Sequence, residues 1–372
     1  MSHRTIRVRL PGSLDPASDR SYDIVVGRGI LDSAGSLLRS AGASRCVVIA
    51  DAAVVETHAA RAAAALRSSG IDTAVFAVPS GEASKSVAEA GRLWGELARL
   101  AVDRGTHVVA VGGGVVGDLA GFVAATFARG LPVWQVPTTL VAQVDSAIGG
   151  KTGINLDAGK NLVGAFWQPR GVLADIDTLA TLPEREFTSG LAEVVKYGMI
   201  LDAGFFDWLE ANARHVLDRE PSAITHVVER SAALKAQVVE QDEHERSGLR
   251  AALNYGHTFG HAFETAAGYG TLLHGEAVSI GMAAAAKLAE LLGRIPPETV
   301  ARQESLLRSL RLPTTTDALR GTTADELLAI MARDKKTLAG RLRFVLPSRI
   351  GHVELVDGVD PALVRRVLGV EA

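Results

Sequence analysis

The stretch HVVAVGGGVVGDLAGFVAATF, residues 107–127, predicts the fold class of this chain. It starts with a β-branched apolar run at 107–111, passes through three consecutive glycines, and continues as an apolar helix-forming segment at 119–127. The motif Gly112-x-Gly114-x-x-Gly117 therefore follows a predicted strand and opens a predicted helix, the setting of a dinucleotide-binding turn. Glycines let the backbone approach a pyrophosphate, and the free amides of a helix N-terminus attract it. We predict a strand–turn–helix unit that binds a dinucleotide.

Strands and helices alternate on both sides of this stretch. Strands are predicted at 45–50, 73–78, 107–111, 132–136 and 172–176, and helices at 58–68, 84–100 and 119–127. Two earlier strands, at 5–10 and 22–27, are expected to pair with each other. Alternation of this kind is typical of βα units with a mainly parallel sheet.

The pattern changes at about residue 180. Helices are predicted at 193–200, 205–211, 223–240, 250–267, 276–292, 297–310 and 324–332, with only two more strands, at 343–346 and 352–355. We therefore predict the α/β class, with a Rossmann-like dinucleotide-binding domain at 1–180. A mainly α-helical metal- and substrate-binding domain is expected at 181–372, with the site in the cleft between the two.

The nucleotide signal departs from the usual pattern in one respect. The strand after the glycine motif ends in no acidic residue that could hold a ribose. An acid instead ends an earlier strand, Asp51, while Glu82 and Lys85 open the following helix. The sequence favours a dinucleotide site built differently from the first βαβ unit, and a glycine-rich turn without a ligand remains the alternative.

Composition excludes several functional classes. The chain has 372 residues, enough for two domains, and its net charge of −3 gives no basic field for nucleic acid or an anionic membrane. Residues 107–128 are apolar enough to imitate a membrane span, but they include Asp118 and five glycines. The single Cys46 excludes an internal disulfide, and alternating residues near the start predict a strand and not a signal peptide. We expect a cytoplasmic protein with no nucleic-acid or membrane partner.

A second informative stretch is RAALNYGHTFGHAFE, residues 250–264. On one continuous helix, its polar residues would recur at steps of four and three and line a single face; they are Arg250, Asn254, His257, His261 and Glu264. The remaining positions are mostly apolar. A polar stripe on an apolar helix predicts an internal polar pocket, whose groups need partners such as a metal ion or an anion.

Two histidines four residues apart are by themselves more often ordinary surface or core residues. The stretch also lacks the glutamate of the HExxH motif, since Thr258 occupies that position. However, His274-Gly275-Glu276 follows downstream, and Glu193 and Lys196 occur upstream at helical spacing. These additions favour a metal site.

Basic residues indicate an anionic substrate. Gly149-Gly150-Lys151-Thr152-Gly153 is similar to a phosphate loop but lacks its first glycine, so we reject a P-loop. Several cations nevertheless occur near predicted turns, on the second stretch or further along the chain: Arg129, Lys151, Lys160, Lys235, Arg250, Lys335 and Lys336. Together they indicate a substrate with a phosphate and a carboxylate.

Motifs along nearly the whole chain resemble those of the 3-dehydroquinate synthase family. They are GGGVVGD at 112–118, PTTL at 137–140, QVDSAIGGKTGIN at 143–155, GKNLVGAFWQP at 159–169, AEVVKYG at 192–198, LNYGHTFGHAFE at 253–264, HGEAVSIGM at 274–282 and RDKK at 333–336. One departure is Ala83-Ser84, where the family often has glutamine and an aromatic residue. Glu82 and Lys85 keep their places around it.

The resemblance implies a set of site residues. NAD would be held by Asp51, Glu82, Lys85, Gly113, Gly114, Asp118, Thr138, Thr139, Lys151 and Lys160. A zinc ion, replaceable by cobalt, would be held by Glu193, His257 and His274. Catalytic residues would be Asp145, Lys151, Lys196, Glu245, Arg250, Asn254 and His261, and further substrate contacts would be Arg129, Lys160, Asn161, Lys235 and Lys336. The family also implies a homodimer.

The implied reaction converts 3-deoxy-D-arabino-heptulosonate 7-phosphate to 3-dehydroquinate and phosphate, a step of the shikimate pathway. It proceeds by transient oxidation with NAD, phosphate elimination, reduction and an intramolecular aldol reaction, so NAD is regenerated. Three alternatives remain. One is a metal-dependent polyol dehydrogenase, one is a sister sugar-phosphate cyclase acting on a substrate without the carboxylate, and one is a non-catalytic nucleotide-binding protein.

Overall fold

The computed structural model describes residues 3–10, 19–246, 248–268, 271–316, 321–333 and 342–369. These form two compact units. The first contains the residues up to Leu182 together with Ile224–His244, and the second contains Pro183–Ala223 together with the residues from Glu245 onward. The first break therefore lies next to the predicted boundary.

The segment Ile224–His244 differs from the expected contiguous division, because it packs with the first unit. Its Lys235 ammonium lies 2.7 Å from the Asp145 carboxylate, and its Glu240 carboxylate accepts a hydrogen bond of 2.7 Å from the backbone N–H of Arg9. These contacts join residues far apart in sequence, which local patterning cannot reveal.

The strands in chain order are β1 Arg4–Val8, β2 Tyr22–Gly27, β3 Arg45–Asp51, β4 Asp72–Val78, β5 His107–Gly112, β6 Val133–Pro137, β7 Lys151–Leu156, β8 Gly159–Phe166, β9 Gly171–Asp175, β10 Arg343–Arg349 and β11 His352–Asp357. Seven of them form one sheet in the order β1-β2-β9-β6-β5-β3-β4. The β1–β2 pair is antiparallel, as expected, and the other pairs are parallel. The predicted α/β class is confirmed.

The helices in chain order are α1 Ala34–Ser40, α2 Ala60–Ser68, α3 Val87–Arg99, α4 Gly114–Thr126, α5 Glu184–Leu201, α6 Ala203–Leu217, α7 Pro221–Gln241, α8 His257–Ala266, α9 His274–Leu291, α10 Pro297–Ser309, α11 Ala324–Arg333 and α12 Pro361–Val367. Two apolar clusters cover opposite faces of the sheet. On β3, Cys46, Val48 and Ala50 face α1 and α2, while Val47 and Ile49 face α3 and α4. Successive strand residues point to opposite faces, so a strand buried on both sides is apolar throughout.

The sheet order creates a switch point between β3 and β5. From β3 the chain moves outward to β4, and then returns to place β5 on the other side of β3. In open α/β sheets, ligands bind beyond the carboxyl ends of the strands at such a point. Asp51 ends β3 and Gly112 ends β5, so both lie at this position.

The second unit is helical, with α5, α6 and α8–α12, and it includes the antiparallel hairpin β10–β11. Its α8 and α9 pack closely against each other, and α5 packs against α9. Among the described residues of the whole chain, no helix is both long and apolar enough to cross a membrane. The apolar run at 107–128 forms β5 and α4 instead.

Candidate metal centre and nucleotide site

Three helices of the second unit bring Glu193, His257 and His274 together. Glu193 lies in the middle of α5, His257 begins α8 and His274 begins α9. One ligand atom from each residue lies within 4.8 Å of the others. The Nε2 atoms of His257 and His274 are 3.4 and 3.3 Å from Glu193 Oε1. One carboxylate oxygen and two imidazole nitrogens thus face a common point.

Glu193 is a fully buried carboxylate beside a buried lysine. Its side chain forms an ion pair with Lys196, one helical turn along α5. Neither of its oxygens has a hydrogen-bond partner of acceptable geometry. Burial acts to raise the pKa of Glu193, but Lys196 and then His257 lower it well below its usual range. Lys196 pairs with Oε2, so a metal cation beside Oε1, the oxygen that both imidazoles face, would complete the compensation of this buried charge.

This donor set fits a zinc or cobalt ion. Two imidazoles and one carboxylate are the ligands of several catalytic zinc sites, where a fourth position stays open for water or substrate. Glu193 Oε1 and the Nε2 atoms of His257 and His274 supply the required three donors.

The two imidazoles are held by different partners. His257 Nδ1 lies 3.1 Å from the backbone oxygen of Tyr255, which fixes Nε2 as the atom available to a metal. Burial lowers the pKa of His257 to about 3. For His274, burial opposes the charge, but contacts with Glu193 and Glu264 outweigh it and raise the pKa to about 9. Without a metal, His257 is therefore neutral and His274 carries a proton that a bound cation would replace.

A glycine allows α5 and α9 to approach closely enough for this geometry. The N–H of Gly275 donates a hydrogen bond of 3.0 Å to Ser189 Oγ on α5. A Cβ at Gly275 would lie only 1.8 Å from the Ser189 backbone oxygen. Ser189 is one helical turn before Glu193, so this contact sets the spacing of two of the three ligand-bearing helices.

The prediction of one continuous helix at 250–267 is wrong. Residues Leu249–Asn254 form a 3-10 segment, and α8 begins only at His257. Gly256 separates them with a φ of +79°, and a Cβ there would lie 2.6 Å from the Met282 side chain. Close packing against α9 holds this glycine in a left-handed conformation, which breaks the helix. The stripe expected on one helical face is therefore supplied by two elements.

His261 and Arg250 lie in the same unit as the metal candidates. The ring of His261 is 5.4 Å from that of His257 and 6.2 Å from that of His274. Arg250 is almost fully buried, and its Nε is 3.8 Å from the carboxylate of exposed Glu245. Asn254, which is half-buried, ends the 3-10 segment. His261 is thus beside the metal candidates without belonging to the ligand set.

The glycine motif lies at the switch point in the first unit. A Cβ at Gly112 would be 3.2 Å from Asp51 Cβ, so the strand ends of β3 and β5 are adjacent. Gly113 precedes α4 without a side-chain cap, and a Cβ there would be 3.1 Å from the Thr139 side chain. Thr138 is buried, and its N–H bonds to Gly112 O. Uncapped amides in a tight cradle, where a side chain would crowd its neighbours, fit the pyrophosphate of a dinucleotide.

Lys85 joins two groups of predicted site residues. Its ammonium lies 2.7 Å from Asp118 Oδ2 and donates a hydrogen bond of 2.5 Å to Asn161 Oδ1, and its side chain is only 4% exposed. Glu82 is 3.8 Å from the same ammonium. Burial raises the pKa of Asp118, and Lys85 offsets part of that effect. Residues expected at the nucleotide and at the substrate therefore share one lysine.

The remaining predicted residues of the first unit lie at three places. Lys151 and Lys160 are on the β7–β8 hairpin, Arg129 is in a 3-10 turn after α4, and Asp145 pairs with Lys235 of α7. Lys336, together with Lys335, falls outside the described residues.

Asn155 and Ser80 contact the predicted site residues, although the sequence patterns did not indicate either of them. Asn155 Nδ2 donates a hydrogen bond of 2.7 Å to Glu82, and its Oδ1 accepts one of 2.8 Å from the backbone N–H of Asn161. Ser80 Oγ donates a hydrogen bond to Asp51. Both act on a predicted site residue from a distant part of the chain. The only indication in the sequence was that Asn155 ends the family motif at 143–155.

Comparisons with known proteins identify the family. A family model described as 3-dehydroquinate synthase N-terminal matches residues 75–189, and one described as 3-dehydroquinate synthase C-terminal matches residues 190–337. The 3-dehydroquinate synthase of Rhodopirellula baltica is 49% identical over 348 residues, covering 92% of each chain.

Two solved structures share the fold. The 2-epi-5-epi-valiolone synthase ValA of Streptomyces hygroscopicus, with NAD+ and Zn2+ bound, has a TM-score of 0.86 and 30% identity, covering 96% of this chain and 97% of that one. A 2-deoxy-scyllo-inosose synthase, complexed with carbaglucose-6-phosphate, NAD+ and Co2+, has a TM-score of 0.84 and 27% identity, with 98% and 99% covered. The resemblance inferred from the sequence motifs is confirmed, and the chain belongs to the 3-dehydroquinate synthase family.

Proposed function

We propose that this protein is a 3-dehydroquinate synthase, a lyase that converts 3-deoxy-D-arabino-heptulosonate 7-phosphate to 3-dehydroquinate and phosphate in the shikimate pathway. The observation that carries the proposal is the convergence of Glu193, His257 and His274 on a single point. Relatives of the same family that are almost half identical over most of the chain support it.

The proposed cofactors are NAD and a divalent metal, with zinc as the physiological ion and cobalt as a substitute. NAD supplies a reversible hydride acceptor, and the metal supplies a Lewis acid for a substrate hydroxyl. Glu193, His257 and His274 would hold the metal. Two structural relatives, one with NAD+ and Zn2+ and the other with NAD+ and Co2+, support this assignment.

The first unit would bind the nucleotide. The glycines at 112–114 and the amides opening α4 would receive the pyrophosphate, and Asp51 at the adjacent strand end would hold a ribose. Glu82, Lys85, Asp118, Thr138 and Thr139 would complete this subsite. Buried Lys85 would balance the negative charge of half-buried Asp118, because the two groups are 2.7 Å apart.

Cationic and amide side chains would hold the substrate anions. The proposed contacts are Arg129, Lys151, Lys160, Asn161, Lys235, Arg250, Asn254 and Lys336. Arg250 is almost fully buried, so its charge is poorly screened and would act strongly on a carboxylate or phosphate. Glu245, 3.8 Å away, would orient it.

Three residues are proposed to move protons: Asp145, Lys196 and His261. His261 is suited to this role because its ring lies beside two metal candidates without joining their ligand set. The Asp145 carboxylate is held by Lys235 at 2.7 Å, which fixes its position as a candidate base. Lys196 touches Glu193 and would exchange protons close to the metal.

A second candidate function is that of a sister cyclase. The observation that favours it is the similarity to a 2-epi-5-epi-valiolone synthase and a 2-deoxy-scyllo-inosose synthase. Identity to these two is 30% and 27%, against 49% to a curated 3-dehydroquinate synthase. The polyol dehydrogenase and the non-catalytic protein are also less favoured, because the chain is 49% identical to a curated 3-dehydroquinate synthase.

We further propose a homodimer in the cytoplasm, as the family resemblance implies. In this proposal the α/β unit binds the nucleotide, and the helical unit binds the metal. Light scattering of the purified protein tests the dimer, and a mass equal to one chain of 39.0 kDa would contradict it.

The decisive experiment measures phosphate released from 3-deoxy-D-arabino-heptulosonate 7-phosphate by zinc-loaded protein with trace NAD. We expect phosphate in large excess over NAD, with no lasting NADH absorbance, because the cofactor is regenerated. Release only from other sugar phosphates would support a sister cyclase, and NADH accumulating on simple polyols would support a dehydrogenase.

A matched pair of variants tests the metal site. His257→Ala removes one of three ligands, so we expect loss of bound zinc and of phosphate release together. His215→Ala is the control, since His215 lies on α6 and pairs with Glu220 at the surface. A metal-free His257→Ala variant with full activity would refute the assignment.

A further inference from the structure

We propose that Glu264 is a positioning residue of the metal centre. It holds the His274 imidazole through Nδ1, so that Nε2 points at the metal position. The inference rests on the proposed metal site and adds to it a residue outside the ligand set.

The contacts on the two nitrogens of His274 define this role. Its Nδ1 forms an ion pair of 3.5 Å with Glu264 Oε2, while its Nε2 lies 3.3 Å from Glu193 Oε1. The imidazole is thus held at both ends by carboxylates, one on α8 and one on α5. The Glu264 side chain is only 15% exposed but that of His274 is 40% exposed, so water partly screens the pair, and the contact acts mainly by orienting the ring.

The position of Glu264 explains why one helix can organise the centre. Glu264 lies seven residues after His257, about two turns along the same face of α8. The helix therefore supplies one ligand from its first turn and orients a second ligand, on α9, from its third. This accounts for the acidic member of the polar stripe, which the proposed reaction otherwise leaves without a role.

The two imidazole ligands are oriented by groups of different charge. His257 Nδ1 faces the neutral backbone oxygen of Tyr255, whereas His274 Nδ1 faces a carboxylate. A carboxylate on the second nitrogen fixes the tautomer and raises ligand basicity more than a carbonyl does. We therefore expect His274 to be the stronger imidazole donor of the pair.

The test measures metal affinity, separately from turnover. Co2+ is titrated into metal-free protein against a competing chelator, and the visible d–d absorption of the complex is recorded. Glu264→Gln keeps an acceptor for Nδ1 but removes the charge, and Glu264→Ala removes both. We expect the Kd for Co2+ to rise by about 10-fold in the first and up to about 100-fold in the second, with an altered spectrum.

Glu276→Gln is the matched control. Glu276 is also a carboxylate near the start of α9, its side chain is 14% exposed, and it forms an ion pair with Arg185 instead of with a ligand. It also accepts a hydrogen bond of 2.8 Å from the backbone N–H of Leu273, which the amide oxygen of glutamine can still accept. Its Co2+ affinity should stay within about two-fold of wild type, a change below 1 kcal/mol. Urea unfolding of all metal-free proteins separates a loss of stability from a loss of metal affinity.

The outcomes distinguish this inference from the proposed function. Wild-type protein that binds no Co2+ would overturn the metal site itself. Wild-type protein that binds Co2+, with both Glu264 variants matching its affinity and spectrum, would overturn only the role of Glu264. A graded loss from wild type through glutamine to alanine, with Glu276→Gln unaffected, would establish it.

Discussion

Replacing Gly275 with alanine should pull apart two of the helices that carry the metal candidates. A Cβ at this position would lie 1.8 Å from the Ser189 backbone oxygen, whereas real Cβ contacts below 3.0 Å essentially never occur. The two backbones must therefore separate by about 1.2 Å, since a carbonyl oxygen inside a helix has no rotamer that could move it away. Overpacking of this kind costs about 1–3 kcal/mol of unfolding free energy.

The larger effect should fall on metal binding. Ligand distances in a metal site tolerate about 0.2 Å of error, far less than the required separation. Gly275 adjoins His274, and Ser189 is one turn from Glu193, so the shift acts directly on two ligands. We expect the Co2+ affinity to fall by at least about 100-fold, a change of about 2.7 kcal/mol.

Urea unfolding and Co2+ titration of the purified variant measure the two effects. Gly95→Ala in α3 is the control, because a Cβ there meets nothing within 4 Å. Alanine in a helix interior is favoured over glycine by about 1 kcal/mol, so this variant should be slightly more stable with unchanged metal affinity. A Gly275→Ala protein with wild-type stability and affinity would refute the close-packing argument.

Three further perturbations test buried polar groups. Lys85→Met leaves the half-buried Asp118 carboxylate without its 2.7 Å partner; we expect urea unfolding to show a loss of about 1–3 kcal/mol at neutral pH. That loss should shrink as the pH falls and Asp118 takes up a proton, because burial has raised its pKa, and a pH-independent loss would contradict this. Tyr255→Phe removes a hydroxyl that donates to Gln303 Oε1 in the core; chemical denaturation should show a loss of about 1–3 kcal/mol, and no loss would contradict the bond. Burial lowers the pKa of His107 below its ordinary value of 6.5, so the neutral imidazole of the folded state loses stability relative to the unfolded state as the pH drops below about 6.5. His107→Leu should therefore make Tm fall less steeply with decreasing pH. The same dependence of Tm on pH in the variant and the wild type would exclude His107 as a cause.

Local patterning was sufficient to predict most of the α/β unit. The buried strands are mostly apolar runs, and the glycine motif joins β5 to α4 as expected, although α4 begins already at Gly114 and not at residue 119. The acid that seemed misplaced in sequence, Asp51, is next to Gly112 because β3 and β5 are neighbours. The strand after the glycine motif lacks a terminal acid because the order of the strands places Asp51, from an earlier strand, beside the motif.

Tertiary packing determined the features that patterning missed. Gly256 breaks the expected helix at 250–267 because contact with α9 holds it at a positive φ, which no local signal distinguishes from an ordinary helical glycine. The β7–β8 hairpin was missed because its polar and glycine residues weaken the alternation typical of strands. Asn155 bonds to residues six and more than seventy positions away, so its role depends on the fold.

The assignment of Ile224–His244 to the first unit has a consequence for biosynthesis. A ribosome that has synthesised the chain up to Leu182 has not yet made the segment that supplies Lys235 to Asp145 and Glu240 to Arg9. Those pairings in the α/β unit can therefore form only after residues 183–244 have been synthesised, and most of these residues belong to the helical unit. We expect a fragment ending at Leu182 to remain protease-sensitive, and one ending at His244 to carry every segment of the first unit.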